Sequence, residues 1–506
     1  MHPIRYLCAV TAVAACAVTA SAQTQSQAKV EELSATLRSA LQSGTIKDEA
    51  TQAKVLHALL AAWHETADGD DFATVQAAVD ADLAGNAAPP PRALLACLLV
   101  TGENKYRAAL EHADTTASND PVYRMKYAAA WKQPLPTAPA ATGSATPEGA
   151  QILAEIADSY AARPVPEWKS NGAGNSIHDE NAWREAARRA AKPFLAHNAR
   201  SRDTETQLTA SYGIAKAVRL GLLPKEDARQ AASLYKTGNT GTPASEAAQL
   251  LAATEIALAP AAALGRGKTV LVDAWFNSQL RKGLNGEQEL FHYKWDDQEN
   301  SGFSFFGSAF TRYGANLAQL DAAPTAANLH SASVYVIASP DIPVKNPNPH
   351  YMDNASADAI EAWVRAGGVL LLMENDKNNS EFEHFNTLSE RFGIHFNPVL
   401  RNTVEGRHFE QGMLKIPAGA GGIFPDPLTV YMKEICTITV SGSAQAIYRD
   451  RGDVLMAVAH VGKGTVWAVV DPWLYNEYTD GRKLPSAYED FTAARNVAEW
   501  ALKQAR

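Results

Sequence analysis

Hydrophobic positions change their spacing partway along this chain. From about Ala28 to Pro260 the sequence is rich in alanine, and its apolar residues recur every three or four positions. That spacing predicts helices over Val30–Leu41, Gln52–Trp63, Arg92–Val100, Lys105–Ala113, Val122–Trp131, Glu148–Ala162, Asn181–His197, Glu205–Leu220 and Pro243–Ala257. The turn Asn86–Pro91, the stop Gly221–Pro224 and the Pro/Ala/Thr/Gly-rich loop Gln133–Gly149 punctuate them. Paired helices joined by loops suggest a helical array or toroid, with a period too irregular for a named repeat.

After Lys268 the chain turns rich in valine and aromatics, and strand-like runs alternate with helical ones. Val270–Val272, Val334–Ile337, Val369–Leu372 and Val466–Val470 read as buried strands. Ser301–Tyr313, Ser356–Arg365 closed by Gly367-Gly368, and a helix opened by a capping box at Ser380–Glu383 lie between them. Strand-helix alternation is the sequence form of a doubly wound, mainly parallel α/β sheet. Ala446–Arg449 and Leu455–His460 add an antiparallel portion. The expected class is α + α/β: a signal over residues 1–22, an α-helical, partly toroid-like domain over 23–265, and a flavodoxin- or amidotransferase-like α/β domain over 266–506.

The amino terminus reads as a secretory signal, with Arg5, an Ala/Val-rich stretch and Ala20-Ser-Ala22 as a cleavage site before Gln23. A lipid-attachment box ending at Cys16 is the rival reading. The expected location is therefore periplasmic or extracellular. Cleavage leaves Cys97 and Cys436, one in each half, which indicates neither a disulfide framework nor a cysteine metal site. The net charge of −9 without a basic cluster gives nucleic acid no footprint. Beyond the signal no apolar stretch reaches the ~18 to 20 residues that span a bilayer.

Each predicted strand stops in polar residues. The stops are Asp273-Ala-Trp275-Phe-Asn277, Ser339-Pro-Asp341, Glu374-Asn375-Asp376 and Asp471-Pro-Trp473-Leu-Tyr475-Asn476-Glu477. His292, Trp295 and Asp296 before the phenylalanine-rich helix, and His384 at the start of another, extend this set. Open α/β sheets bind ligands beyond the carboxyl ends of their strands, so these residues would share one crevice. Tryptophan and tyrosine beside carboxylates and amides suit a saccharide, whose ring stacks while its hydroxyls hydrogen-bond. In the competing structural reading the acids and amides are caps and turn formers, and the tryptophans are core. No spacing fixes a divalent metal on Asp273, Glu374, Asp376 or Asp471, and no motif calls for a cofactor. Gly265–Thr269 and Gly419–Gly422 lack the strand-to-helix setting of a phosphate loop. Glu374-Asn-Asp376 stands where an amidotransferase would place its cysteine, and no serine elbow is present.

Several strings of the first half resemble the unsaturated rhamnogalacturonyl hydrolases of glycoside hydrolase families 88 and 105. They are Asp82-Leu83 followed by Pro91-Arg92-Ala-Leu-Leu95, Thr101–Tyr106, Trp183 leading to Pro193–Ala196, and Ala210–Pro224. The second half, in Phe291–Asp296, Trp363–Leu370, Glu383–Asn386, Arg391–Asn397 and Asp471–Tyr478, looks like the carboxy-terminal α/β domain of some members. The resemblance implies an α/α toroid that hydrates an unsaturated uronyl sugar with two aspartates. Aligned on Arg92, Asn86 and Ala87 replace the first aspartate pair, and Glu185 or Ala186 stands at the second. Asn cannot carry a proton in acid-base work, and roughly 240 residues are short for a full toroid.

Two expectations follow. The first is an exported protein that binds a uronic-acid-containing, pectin-type oligosaccharide at the strand-end crevice, with a degenerate helical half. The second is an active hydrolase using Asp82 and Glu185, or a carboxylate pair ~5 to 9 Å apart in the α/β half. Lys294, Arg401, Arg407, Arg482 and Lys483 are the basic groups available near the crevice for an acidic ligand.

Overall fold

The computed structural model describes residues 27–112, 119–141, 143–166, 180–196, 203–235 and 241–506. The expected signal, residues 1–22, lies outside them. The first part is helical: 27–42 (α1), Glu49–Thr66 (α2), Gly69–Ala84 (α3), Pro91–Thr101 (α4), Asn104–His112 (α5), Pro121–Ala130 (α6), Pro147–Ala161 (α7), Glu180–Leu195 (α8), Thr204–Arg219 (α9), Ala228–Leu234 (α10), Pro243–Ile256 (α11) and Leu258–Ala261 (α12). Local chemistry sets their starts. Asp48, Asp68, Asp120, Thr146, Asp203 and Thr242 each turn a side-chain oxygen onto first-turn N–H groups. Proline opens α4, α6, α7 and α11, where its missing N–H costs nothing.

Helix α3 is absent from the sequence expectation because acids interrupt its apolar spacing, yet Phe72, Val75 and Val79 bury one face. Asp80 and Asp82 therefore stand on a helix.

Helix neighbours close a cycle: α2 packs on α11, α11 on α9, α9 on α7, α7 on α6, α6 on α4, and α4 again on α2. The α7–α9 crossing is tight. A Cβ at Gly213 would lie 2.8 Å from Leu153 Cγ and 3.0 Å from the Ala154 nitrogen, so a larger residue would push the helices apart.

The second part comprises β1 (Thr269–Asp273), β2 (Leu280–Lys282), β3 (Gln288–Leu290), α13 (Ser304–Thr311), β4 (Asn316–Leu320), α14 (Ala326–Leu329), β5 (Val334–Ala338), α15 (Asn354–Ala366), β6 (Val369–Met373), α16 (Glu383–Ser389), β7 (Ile394–Arg401), β8 (Met413–Ile416), β9 (Leu428–Tyr431), β10 (Ile435–Val440), β11 (Gln445–Asp450), β12 (Asp453–Val461), β13 (Gly464–Val469), α17 (Asn476–Thr479) and α18 (Asp490–Gln504). Among the described residues they build a nine-stranded sheet in the order β4-β1-β5-β6-β13-β12-β10-β7, with β11 also paired to β12. The first five run parallel and the rest antiparallel. Taken in chain order, the parallel five follow the second-first-third-fourth-fifth arrangement of flavodoxin-like sheets. Strands β5, β6 and β13 are buried at every position, which explains their unbroken apolar runs.

The capping box expected at Ser380 does not form. Ser380 Oγ donates to the Pro340 carbonyl, and Glu381 caps α16 instead, accepting from the His384 and Phe385 nitrogens. The two halves are bound together. Trp63 Nε1 donates to the Asp480 carbonyl at 2.7 Å, Arg312 pairs with Glu65, and Phe305 packs on Trp63 and His64. A Cβ on Gly69 would lie 2.2 Å from the Gly481 carbonyl oxygen, so that contact requires glycine.

Candidate functional site

The carboxyl ends of β1, β5, β6 and β13 lie along one edge of the sheet, because these strands are parallel neighbours. Most of the predicted site residues there are buried and committed to the backbone. Asp273 is 1% exposed. It accepts from the Phe276 and Asn277 nitrogens and from Tyr335 Oη, and burial pushes it up to about 6 against the pull of Lys294. Asn277 donates to the Ser339 carbonyl. Asp376 accepts from Asn378 and Asn379 of its own turn, while Asn375 accepts from the Asp376 nitrogen. Asn476 takes the Phe305 nitrogen and holds two carbonyls, so it closes the start of α13. Trp295 donates to the Ala318 carbonyl within a cluster of phenylalanines.

These are corrections to the expected crevice. Trp473 is fully buried and cannot stack on a sugar, and Asp273, Asp376 and Asn476 have no side-chain face to offer one. After β5, Asp341 accepts from the Ser278 nitrogen, Gln279 Nε2 and Asn346 Nδ2, which ties that segment to the turn after β1, where strand order reverses. His350 stacks flat on Trp275, with ring centroids 3.5 Å apart.

What stays partly open is Trp275, His292, Asn375, His384, Tyr475 and Glu477, with Asp296 exposed. Burial brings His292 down to about 3, so it is neutral. His384 pairs with Glu381, Glu477 with Lys483, and both Asp296 oxygens accept from the Val165 nitrogen. Glu374 and Asp471 are buried, each with one carboxylate oxygen lacking a partner. Burial pushes both well above the carboxylate range, which favours the neutral acid.

The basic groups near the crevice are also spent. Lys294 donates to the Asn277 and His292 carbonyls, Arg401 pairs with Asp450 and Asp453, Arg482 with Asp480, and Lys483 with Glu477. Arg407 is exposed.

The expected hydrolase pair fares no better. Asp82 accepts from Gln52 Nε2 at 3.0 Å. Glu185 is exposed on α8 beside Arg189, on the face opposite the buried Trp183, Ala186 and Ala190.

A charged cluster that the sequence reading missed joins α2, α4, α7 and α9. Its hub is Asp158 on α7, whose Oδ1 accepts from Tyr212 Oη and Lys216 Nζ of α9, both at 2.6 Å. Oδ2 faces His57 Nε2 of α2 at 3.3 Å and Arg92 Nη1 of α4 at 3.8 Å. Arg92 Nη1 lies 3.4 Å from His57 Nδ1, and its Nε donates to Asp120 at 2.5 Å. Arg92 Nη2 is 4.0 Å from Glu155. A neutral His57 that accepts at Nδ1 and carries its proton on Nε2 satisfies both neighbours.

The titration behaviour agrees with this geometry. Burial brings His57 down to about 4, with Asp158 opposing. Burial alone would raise Asp158, but Lys216, His57 and Arg92 outweigh it and hold the carboxyl well below its usual range. Lys126 of α6 is half-buried, and among the described residues no carboxylate pairs with it. Burial, then Lys216 and Arg92, bring it down to about 8. Asp158 is 4% exposed at the floor, while His57, Arg92 and Glu155 are 24, 16 and 23% exposed around it, so solvent reaches the cluster.

A signal for this site does exist in the sequence. Asp158, Lys216 and His57 interrupt helix faces that are otherwise apolar, and buried charges of that kind mark functional sites or structural ion-pair networks. Among the described residues, no group of three or more His, Cys, Asp or Glu side chains is placed to hold a metal ion, and no helix is long and apolar enough to cross a membrane.

No protein-family model and no curated protein sequence matches the chain. Solved structures similar to it include the mmIFT52 N-terminal domain, at 16% identity over 47% of this chain and 97% of that one, with a TM-score of 0.35. A cytoplasmic protein from Salmonella typhimurium LT2 is 15% identical over 40% of this chain and 87% of its own, with a TM-score of 0.24. Distant structural neighbours also include glycoside hydrolases. The exo-beta-1,4-mannosidase Op5Man5 from Opitutaceae bacterium strain TAV5 is 13% identical over 64% of this chain, with a TM-score of 0.27, and this chain spans about half of it, 51%. The link to unsaturated rhamnogalacturonyl hydrolases rests on the sequence strings alone.

Proposed function

We propose that the helical ring is a shortened relative of the α/α toroid and binds a carboxylate-bearing saccharide at its centre without hydrolysing it. The observation that carries this reading is Lys126, half-buried on α6 and in no ion pair among the described residues, where Asp158 and Asp120 offset only part of the repulsion from Lys216 and Arg92. A uronate carboxylate placed there would relieve that repulsion and meet a second cation in Arg92. His57, 24% exposed, offers its imidazole ring to the sugar.

Turnover is disfavoured by the same cations. Asp158 is held so firmly ionised that it is a weak base and cannot donate a proton. Asp120 is held low as well, by Arg92 and the α6 N–H groups, although its burial opposes them. Glu155 is raised by burial, but Asp158 and Asp120, both held low, cannot complete an acid-base pair with it. Residues 1–22 would serve as the export signal, and a mature protein beginning at Gln23 is the corresponding expectation for mass spectrometry.

The test is calorimetric titration with D-galacturonate and with galactose, in buffers of different ionisation enthalpy. Binding of the acid sugar alone is expected, with proton uptake near pH 8.5 and none at pH 6, because a bound carboxylate raises the pKa of Lys126 above about 8. Equal binding of galactose would remove the reading. Loss of ultraviolet absorbance from an unsaturated uronyl disaccharide, abolished in Glu155→Gln, would install the hydrolase in its place.

A further inference from the structure

On another face of the same helices lies a groove of about 330 Å³ between α6, the 136–140 segment, α7 and α8. Pro121, Arg124, Pro136, Pro139, Ser159 and Trp183 line it. Its volume is at the lower end of ligand pockets, which run from about 300 to 1,000 Å³, and is enough for one sugar ring. Ser159 and Arg124 neighbour Asp158 and Lys126 in sequence. Successive helical residues are turned by about 100°, so the groove and the ring centre look out from different faces of α6 and α7.

Two features of the groove are unexplained by the fold. Ser159 is 1% exposed, and its hydroxyl has no hydrogen-bond partner. A serine inside a helix ordinarily turns its hydroxyl back to the carbonyl four residues earlier, and a buried hydroxyl without a partner is costly. Ser159 instead lines an open cavity. Arg124 is exposed and, among the described residues, forms no ion pair, so its guanidinium is free at the mouth. Proline rings and the Trp183 edge supply apolar walls.

We infer that this groove is a second ligand site, taking a single uronate ring with its carboxylate on Arg124 and a ring hydroxyl on Ser159. The choice of a uronate rests on the reading of the ring centre; the existence of the site does not. The full chain is titrated with D-galacturonate as wild type, as Arg124→Ala/Ser159→Ala, and as Lys126→Met. Two binding events are expected for the wild type. The double variant should lose one or weaken it by roughly tenfold or more, keeping the event coupled to proton uptake. Lys126→Met should keep the uncoupled one. Ser159→Ala alone should leave the melting temperature unchanged or higher, since it removes an orphan hydroxyl. An isotherm for the double variant that superimposes on wild type overturns the groove. An unchanged isotherm for Lys126→Met overturns the ring-centre reading and leaves the groove standing.

Discussion

Lys126→Met separates a binding residue from a structural one, because the two roles predict opposite signs for stability. In the folded protein burial and the cations Lys216 and Arg92 lower the lysine from 10.5 to about 8. At about 1.36 kcal/mol per unit, charging it in place costs roughly 3 kcal/mol as an upper limit. The side chain is half-buried, so solvent screening reduces that to about 1–2 kcal/mol. A base whose folded pKa is depressed carries this cost in full below pH 8. The cost fades as pH rises from about 8 towards 10.5 and is gone above that, where the group is neutral in both states. Methionine matches the length of the aliphatic stem and has no charge to desolvate. The variant should therefore unfold at higher denaturant than wild type at pH 7, by about 1–2 kcal/mol, and approach wild type at pH 10.5. Its affinity for D-galacturonate should fall about ten- to a hundredfold, from the loss of one charge-assisted contact. A destabilised Lys126→Met, or a gain that persists undiminished at pH 10.5, would refute the argument that Lys126 is an unpaired cation kept for a ligand.

Two other substitutions probe the buried acids. Asp158→Asn keeps the shape of the hub but leaves Lys216 and Arg92 facing an uncharged amide, and should cost about 3–5 kcal/mol at pH 7 in chemical unfolding. The folded pKa of Asp158 is depressed, so its contribution is complete above 3.8 and the gap to the variant should narrow only below that. Glu374→Gln should do the reverse. The folded pKa of Glu374 is raised by burial, so wild type loses stability progressively as pH rises above 4.5, whereas the glutamine variant should be flat and increasingly the more stable of the two. A wild-type unfolding midpoint that does not fall between pH 5 and 8 relative to the variant would show that Glu374 is ionised after all.

The strand-end residues show how far local sequence carries. Asp273, Asn375 and Asp376 were legible either as a ligand site or as turn formers, since both roles use the same short polar side chains after a strand. In the structure they form turns, as the hydrogen bonds of Asp273 to Phe276 and Asn277 show. Trp473 could not be assigned from its neighbours, because its burial depends on packing by segments far away in sequence. The charged cluster was missed for the same reason. His57, Arg92, Lys126, Asp158 and Lys216 are spread over more than 150 positions, so the interruption each makes in its own helix face does not show that they meet.

Periodicity and turn chemistry are local properties, repeated every two or 3.6 residues, and they determined the order and type of the elements: helices first, then a largely parallel sheet with an antiparallel extension. Caps such as Asp48, Asp120 and Asp203 set helix starts locally, because a cap acts within three residues. Only the tertiary structure decided which charges meet. The α7–α9 crossing at Gly213 and the closing contact of α2 on α11 bring Asp158, Lys216 and His57 within hydrogen-bonding or ion-pair reach. Electrostatic energy depends on that distance through space and on how much water is excluded, and neither is written in the spacing along the chain.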